Sequence, residues 1–230
     1  MSELKGSRAT IAVLGGTGAE GGGLAIRWAH AGHNVIIGSR TMERAKEAAE
    51  RIAKLAGKAV EGLANREAAA KAEIVVLAVP YTAQVPTATE VAAELAGKIL
   101  IDVTVPLVPP KVARVQLPEG GSAVDALQRK LGAGVKVVSA FQNVSAHQLS
   151  ELGHAVDCDV LVCGDDEAAR ERVVALAHDG GMRAWHAGPL ANSAAAEALT
   201  SILISINKRY KVEAGAGIRI TGIGAAAGGH

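Results

Sequence analysis

Aromatic side chains are scarce. Two Trp, two Tyr and one Phe make up 2% of the 230 residues, although 49% of the chain is hydrophobic. A core built on stacked rings is therefore excluded. Ala, Gly, Val, Ile and Leu must fill the interior, and such side chains suit helices packed closely on a sheet. Cysteine is nearly absent as well. Cys158 and Cys163 make no disulfide framework. Their spacing is no familiar metal pattern and no paired histidines lie nearby, so no metal site is expected. Charge of one sign is also lacking: 24 basic residues against 23 acidic ones give a net charge of +1. That balance offers no surface for nucleic acid or anionic lipid. No apolar run reaches the length of a membrane span. The polar start, MSELKGSRAT, lacks the apolar centre of a signal peptide. A cytoplasmic chain is expected, with one domain or one large and one small.

Apolar runs alternate with amphipathic stretches. Strands are expected at residues 10–15, 34–37, 59–63, 73–79, 98–103 and 135–140. Helices are expected at 20–31, 41–56, 65–71, 84–96 and 122–131, with Pro86 in a first turn. This alternation implies an α/β architecture, a parallel sheet with right-handed crossovers. Beyond residue 145 the pattern loosens. A strand at 159–163, a helix at 167–178 capped by Asp165 or Asp166, a strand at 182–186 and a long helix from about Pro189 to Arg209 follow. The expected division is 1–145, a small α/β appendage at 146–223, and a disordered tail at 224–230.

The spacing Gly16-x-Gly18-x-x-Gly21 follows the first strand and opens the first helix. Such a turn serves a dinucleotide: the first glycine permits the tight turn, the second lets backbone approach the pyrophosphate, and the third lets helix meet strand. The helix N-terminus adds N–H donors and positive potential. This is a Rossmann-like, doubly wound arrangement. At the end of the second strand an NAD site usually carries an acidic residue for the ribose. Here Gly38-Ser39-Arg40 stands instead, with Arg44 one helical turn on. Arg40 and Arg44 suit a 2′-phosphate, and Ser39 and Thr17 add hydroxyls. NADP(H) is the expected cofactor.

Three further strand ends should line the nicotinamide end of the crevice. They are Val79-Pro80-Tyr81, Asp102-Val103-Thr104 and Phe141-Gln142-Asn143-Val144. Asp102 reads as a structural acid holding loop N–H groups. No convincing acid–base pair emerges, and no catalytic residue is assigned. His30 and His33 are expected at the surface; His147 is the best outside candidate among the rest. Hydride passage between two redox cofactors needs proximity and ring alignment above all, which is consistent with this lack.

Together these segments resemble the NADPH:coenzyme F420 oxidoreductases, or F420-dependent NADP reductases. GGTGAEGGGLA at 15–25, AVP at 78–80, VVSAFQN at 137–143, VCGDDE at 162–167 and AGPLANS at 187–193 look like family signatures in order. The resemblance implies direct hydride transfer between NADP(H) and the deazaflavin F420, in a homodimer whose long terminal helix takes part. It implies cofactor contacts from Gly16, Thr17, Gly18, Ala19, Glu20, Ser39, Arg40, Arg44, Val79, Pro80, Val103, Asn143 and Val144. Contacts to the second substrate would come from Tyr81, Gln142, Asn143, Pro189, Leu190, Asn207 and Arg219. Lys208, Arg209, Lys211 and Arg219 could meet an acidic tail on F420.

The chain departs from the family pattern on that second side. Gln142 stands where a characterised type has histidine, Asn143 where a hydroxyl is expected, and 209–223 is longer and richer in glycine. Two other readings follow: an NADPH-dependent reductase of another small carbonyl or imine, and a non-catalytic NADP sensor.

Overall fold

The computed structural model describes residues 8–223; the tail expected at 224–230 lies outside them. Eight strands form one sheet: β1 (Thr10–Leu14), β2 (Asn34–Ser39), β3 (Glu61–Ala64), β4 (Ile74–Leu77), β5 (Ile99–Asp102), β6 (Lys136–Ser139), β7 (Asp159–Gly164) and β8 (Arg183–His186). Their order is β3-β2-β1-β4-β5-β6-β7-β8. β1 is central, with Val13 in register between Ile37 and Val76. Ile11–Leu14 are fully buried, on both faces, as a continuous apolar run requires.

Alternation along each strand sends side chains into two cores. Ile11 and Val13 point toward α1 (Ala19–Ala31), α2 (Met42–Ala56) and α7 (Glu167–Asp179). Ala12 and Leu14 point toward α3 (Asn65–Lys71), α4 (Tyr81–Glu90) and α5 (Ala123–Leu131). The strand order reverses at β1, with β2 and β3 added on one side and β4 onward on the other, which opens a crevice at the carboxyl ends of β1 and β4.

Several boundaries differ from those expected. α4 begins at Tyr81, so Pro86 sits inside it and not in its first turn. Its missing N–H removes one bond, to Thr82 O, and the helix runs on to Glu90 before a 3₁₀ turn at Ala92–Leu95. The last helix, α8, spans Ser193–Tyr210 after a 3₁₀ turn at Leu190–Asn192. Asp166 caps α7 through Ala169 N, whereas Asp165 accepts from Leu190 N at 2.9 Å. His33 is buried and not at the surface: its Nδ1 accepts from Ala9 N, and its Nε2 faces Asp179 at 3.1 Å.

β7 runs antiparallel to β6, so the sheet is not wholly parallel. The chain between them carries only α6 (Ala146–Ser150) and turns back at the edge where β6 ends. Arg27 on α1 holds this segment. Its guanidinium, almost wholly buried, donates to the carbonyls of Gln148, Leu149, Glu151 and His154 at 2.8–3.2 Å, and to Gly180 O at 3.1 Å. Gly23 makes room for the contact, since a Cβ there would lie 2.6 Å from Leu149 Cβ. Trp28 completes the junction, edge-on to Phe141 at 5.7 Å and bonded through Nε1 to Leu176 O.

Arg27→Ala leaves these buried carbonyls without a donor. It should lower unfolding free energy by about 3 kcal/mol or more, read by urea denaturation. A loss below about 1 kcal/mol would mean that the segment is held by packing alone.

Candidate functional site

The turn between β1 and α1 depends on missing side chains. Gly15 takes the left-handed conformation at φ 84°, and a Cβ there would fall 2.2 Å from Ala78 O. Sequence spacing gave the tight turn to Gly16. Gly16 instead packs on β2, where its Cβ would meet Ile37 Cδ1 at 2.9 Å. Gly21 lets α1 close onto the end of β4, its Cβ position 2.9 Å from Ala78 Cβ. At Gly18 a Cβ would meet nothing nearer than Gly15 O at 3.4 Å, so this backbone faces open space.

A cleft of about 610 Å³ opens over this turn. It gathers Thr17, Gly18, Ser39, Arg40, Arg44, Val79 and Pro80, seven of the residues expected to bind cofactor. Arg40 and Arg44 have no ion-pair partner among the described residues. Two uncompensated guanidinium groups beside a hydroxyl and a helix N-terminus make an anion site. The donors present therefore fit a phosphorylated dinucleotide.

The remaining expected residues are spread more widely. Ala19 lies exposed at the start of α1. Gln142, Asn143 and Val144 line a smaller pocket of about 130 Å³ with Asn207. Tyr81 opens α4 and is half-buried. Val103 and Leu190 are buried in the two cores, and Pro189 is exposed. Arg219 is exposed and paired with Asp157. His147 is exposed on α6, opposite Glu151 at 3.5 Å, and lines neither cavity.

Residues 10–106 match a family described as NADP oxidoreductase, coenzyme F420-dependent. An F420-dependent NADP reductase of Methanocaldococcus jannaschii is 43% identical over 222 residues, covering 93% of this chain and 98% of that one. The chain belongs to the F420-dependent NADP reductase family. A reductase of the same description from Methanothermobacter thermautotrophicus is 43% identical, covering 93% of this chain and 95% of its own. A crystal structure of a candidate F420-dependent NADP reductase from Arthrobacter sp. FB24 superposes with a TM-score of 0.77 at 30% identity, over 92% of this chain and 98% of that one.

In this member of the family, the ends of β5 and β6 carry a buried polar network. Asp102 is fully buried; its Oδ1 accepts from Thr104 N at 2.8 Å and its Oδ2 from Gln84 Nε2 at 2.6 Å. Burial raises its pKa, against the opposing pull of the Thr104 and Gln84 bonds. It accepts a loop N–H, as its position suggested. Gln142 donates through Nε2 to Asp102 O and Ser139 Oγ, both at 2.8 Å, while Thr200 on α8 donates to Gln142 O at 2.7 Å. Asn143 donates to Asp159 O and Cys158 Sγ. Both amides are left with a buried oxygen that has no donor, Gln142 Oε1 and Asn143 Oδ1. Phe141, just before them, adopts φ 74°, an uncommon conformation for a bulky residue, and its ring is locked on Trp28.

Sequence reasoning missed Asn65, Thr82, Ala83, Thr87 and Glu90 in the cleft, and Thr200 and Ala216 in the smaller pocket. The spacing of Ala83, Pro86, Thr87 and Glu90 is the one-face pattern of a helix, so correct placement of the start of α4 would have exposed them.

Glu20, in the first turn of α1, does not line the cleft. Its Oε1 is buried and unpartnered, and burial pushes its pKa from 4.5 up to about 8. The folded state therefore holds this proton where the unfolded chain has lost it, and stability falls as pH rises from 4.5 to about 8. Glu20→Gln should gain stability relative to the native protein across that interval, read by thermal unfolding at several pH values. A difference that does not vary with pH would contradict a neutral Glu20.

Proposed function

We propose that the chain transfers a hydride between NADP(H) and coenzyme F420. The observation that carries this reading is the pair of unpaired arginines at the end of β2 beside the glycine turn, in a chain that shares 43% of its residues with named F420-dependent NADP reductases. NADP(H), when bound, supplies or accepts the hydride. Ser39, Arg40, Arg44 and Thr17 hold the 2′-phosphate. Gly16 and Gly18 bring the backbone of the turn close to the pyrophosphate, their own N–H groups being bonded to Val13 O and Gly15 O, and the N–H groups of Ala19 and Glu20 at the start of α1 face it. Val79, Pro80 and Tyr81 form one wall of the redox end, with Val103 behind it.

On the second-substrate side, Gln142 and Asn143 present amides and Val144 an apolar side chain, and Asn207 on α8 lines the same smaller pocket. Pro189, exposed before α8, is the remaining candidate on this side, since Leu190 lies in the core and Arg219 is paired with Asp157. The division after residue 145 fits this arrangement, with one part holding the dinucleotide and the other closing the second site. The cleft and the pocket are lined by no His or Lys. The chain thus orients two rings, and the proton that accompanies the hydride exchanges with solvent.

A homodimer in the cytoplasm is part of the same proposal. Exposed Ile202 and Tyr210 on α8, and Val115 and Leu117 in the loop before α5, offer apolar surface for a second copy. Ser201 ties that loop to α8 through Arg114 O. Two buried free thiols suit a reducing compartment. No helix among the described residues is long and apolar enough to cross a membrane.

Mixed with NADPH and oxidised F420, the protein should bleach the deazaflavin absorbance. Arg40→Ala should weaken NADPH binding by roughly 10- to 150-fold, the worth of a charge-assisted contact, and leave NADH binding little changed. NADPH binding without F420 turnover would shift the reading to a carbonyl or imine reductase. An unchanged NADPH preference in the variant would overturn the phosphate grip.

A further inference from the structure

The glycine-rich stretch after α8 runs as a strap, with no helix or strand, and Ala216 forms one wall of the smaller pocket. The far end of the strap is pinned to β7. Asp159 N donates to Ile218 O, and Ile220 N to Asp159 Oδ2, both at 2.8 Å. Its near end leaves α8 through Lys211, which is in the left-handed conformation at φ 54°. Between these ends two bonds hold it down. Ala216 N donates to Asn207 Oδ1 at 2.7 Å, and Gln148 Nε2 donates to Gly215 O at 2.8 Å. Two missing side chains let the backbone lie flat. A Cβ at Gly215, itself at φ 87°, would run into Ser145 Oγ, and one at Gly217 would fall 2.6 Å from Asp157 O.

The pocket beside the strap holds about 130 Å³. Sites for drug-sized ligands begin at roughly 300 Å³, so a fused three-ring system needs a wall to give way. The other walls are tied down. Gln142 is bonded to Asp102 O, Ser139 Oγ and Thr200, Asn143 to Asp159 O, and α8 to the start of α5 through Glu197. The strap is held least. Residues 212–214 are exposed, and no apolar side chain between Lys211 and Ile218 is buried. Segments with so few contacts open at the lowest cost. Given F420 as the second substrate, the reading on which this inference rests, we propose that residues 212–217 are a self-blocking strap: they occupy part of the space that F420 takes, are displaced when it binds, and are latched by Gln148. The apparent affinity for F420 is then scaled down to the fraction of molecules whose strap is raised. NADP(H) is unaffected, since none of these residues lines the larger cleft.

Amide hydrogen exchange on the intact protein reads the strap directly. Oxidised F420 should speed exchange at residues 212–217, and NADPH alone should not. Gln148→Glu keeps an acceptor for Asp157 N but has no donor for Gly215 O, so it should speed exchange there with no ligand present. Gly215→Ala sets a methyl group against Ser145 Oγ and adds no charge. It should lower KM for F420 by roughly 2- to 10-fold, the worth of one hydrogen bond, with kcat and NADPH affinity within about 2-fold of the native values. If Gly215→Ala does not fold, the response of the native strap to F420 decides alone. Slower or unchanged exchange at 212–217 on F420 binding overturns the inference and leaves F420 turnover intact. So does a KM that rises or stays the same in Gly215→Ala while its strap exchanges faster. Absence of both F420 binding and F420 turnover in the native protein overturns the F420 reading and this inference with it.

Discussion

The fold turns on one close approach, the β1–α1 turn against the end of β4. A side chain at Gly15 or Gly21 would collide with Ala78. Only because both lack one can the central strand end beside β4 with the N-terminus of α1 directed at the crevice. Everything that gives the cleft its chemistry follows. Gly18 backbone faces open space, β2 delivers Ser39 and Arg40 alongside, and α4 starts immediately after Pro80 to form the far wall.

A second constraint joins this half to the rest. Arg27 is a buried cation compensated by carbonyl dipoles and by no carboxylate among its recorded partners. By gathering the chain around α6 onto α1, it fixes where residues 141–144 leave the sheet. Gln142 and Asn143 are then immobilised from several sides, by β5, by β7 and by α8. The later chain is tied in similarly. Asp159 is bonded by Arg183, Trp185 and the backbone N of Ile220, which outweigh burial and hold its pKa low. Glu197 on α8 reaches across to the N-terminus of α5, accepting from Ser122 Oγ at 2.6 Å and Ala123 N at 2.8 Å. The later chain is thus held to the first half by buried polar contacts spanning long stretches of sequence.

Local features were legible from the sequence. The strands of the first half and the glycine turn follow from apolar runs and a few glycines, and Ser39-Arg40 stands out because an acidic residue is expected there. Long-range features were not. The left-handed residue is Gly15 because Ala78, over 60 residues away, crowds it. His33 reads as polar and terminal, yet Ala9 and Asp179 enclose it. Leu190 belongs to a signature, but its side chain faces the core. Arg219 looked available for an acidic ligand, yet it is occupied by Asp157. Asn65 carried no signal, since its place in the cleft depends on α3 and α4 meeting, where its amide bonds to Glu90.

Direct passage of hydride between two rings aligned by the protein is the central claim, and isotope transfer tests it most directly. NADPH with both transferable positions deuterated would be reacted with F420 in ordinary water, and the product examined by NMR and mass spectrometry. Direct transfer places one deuterium on the reduced deazaflavin ring carbon, without dilution by solvent hydrogen. Product carrying only solvent hydrogen at that carbon would contradict the account.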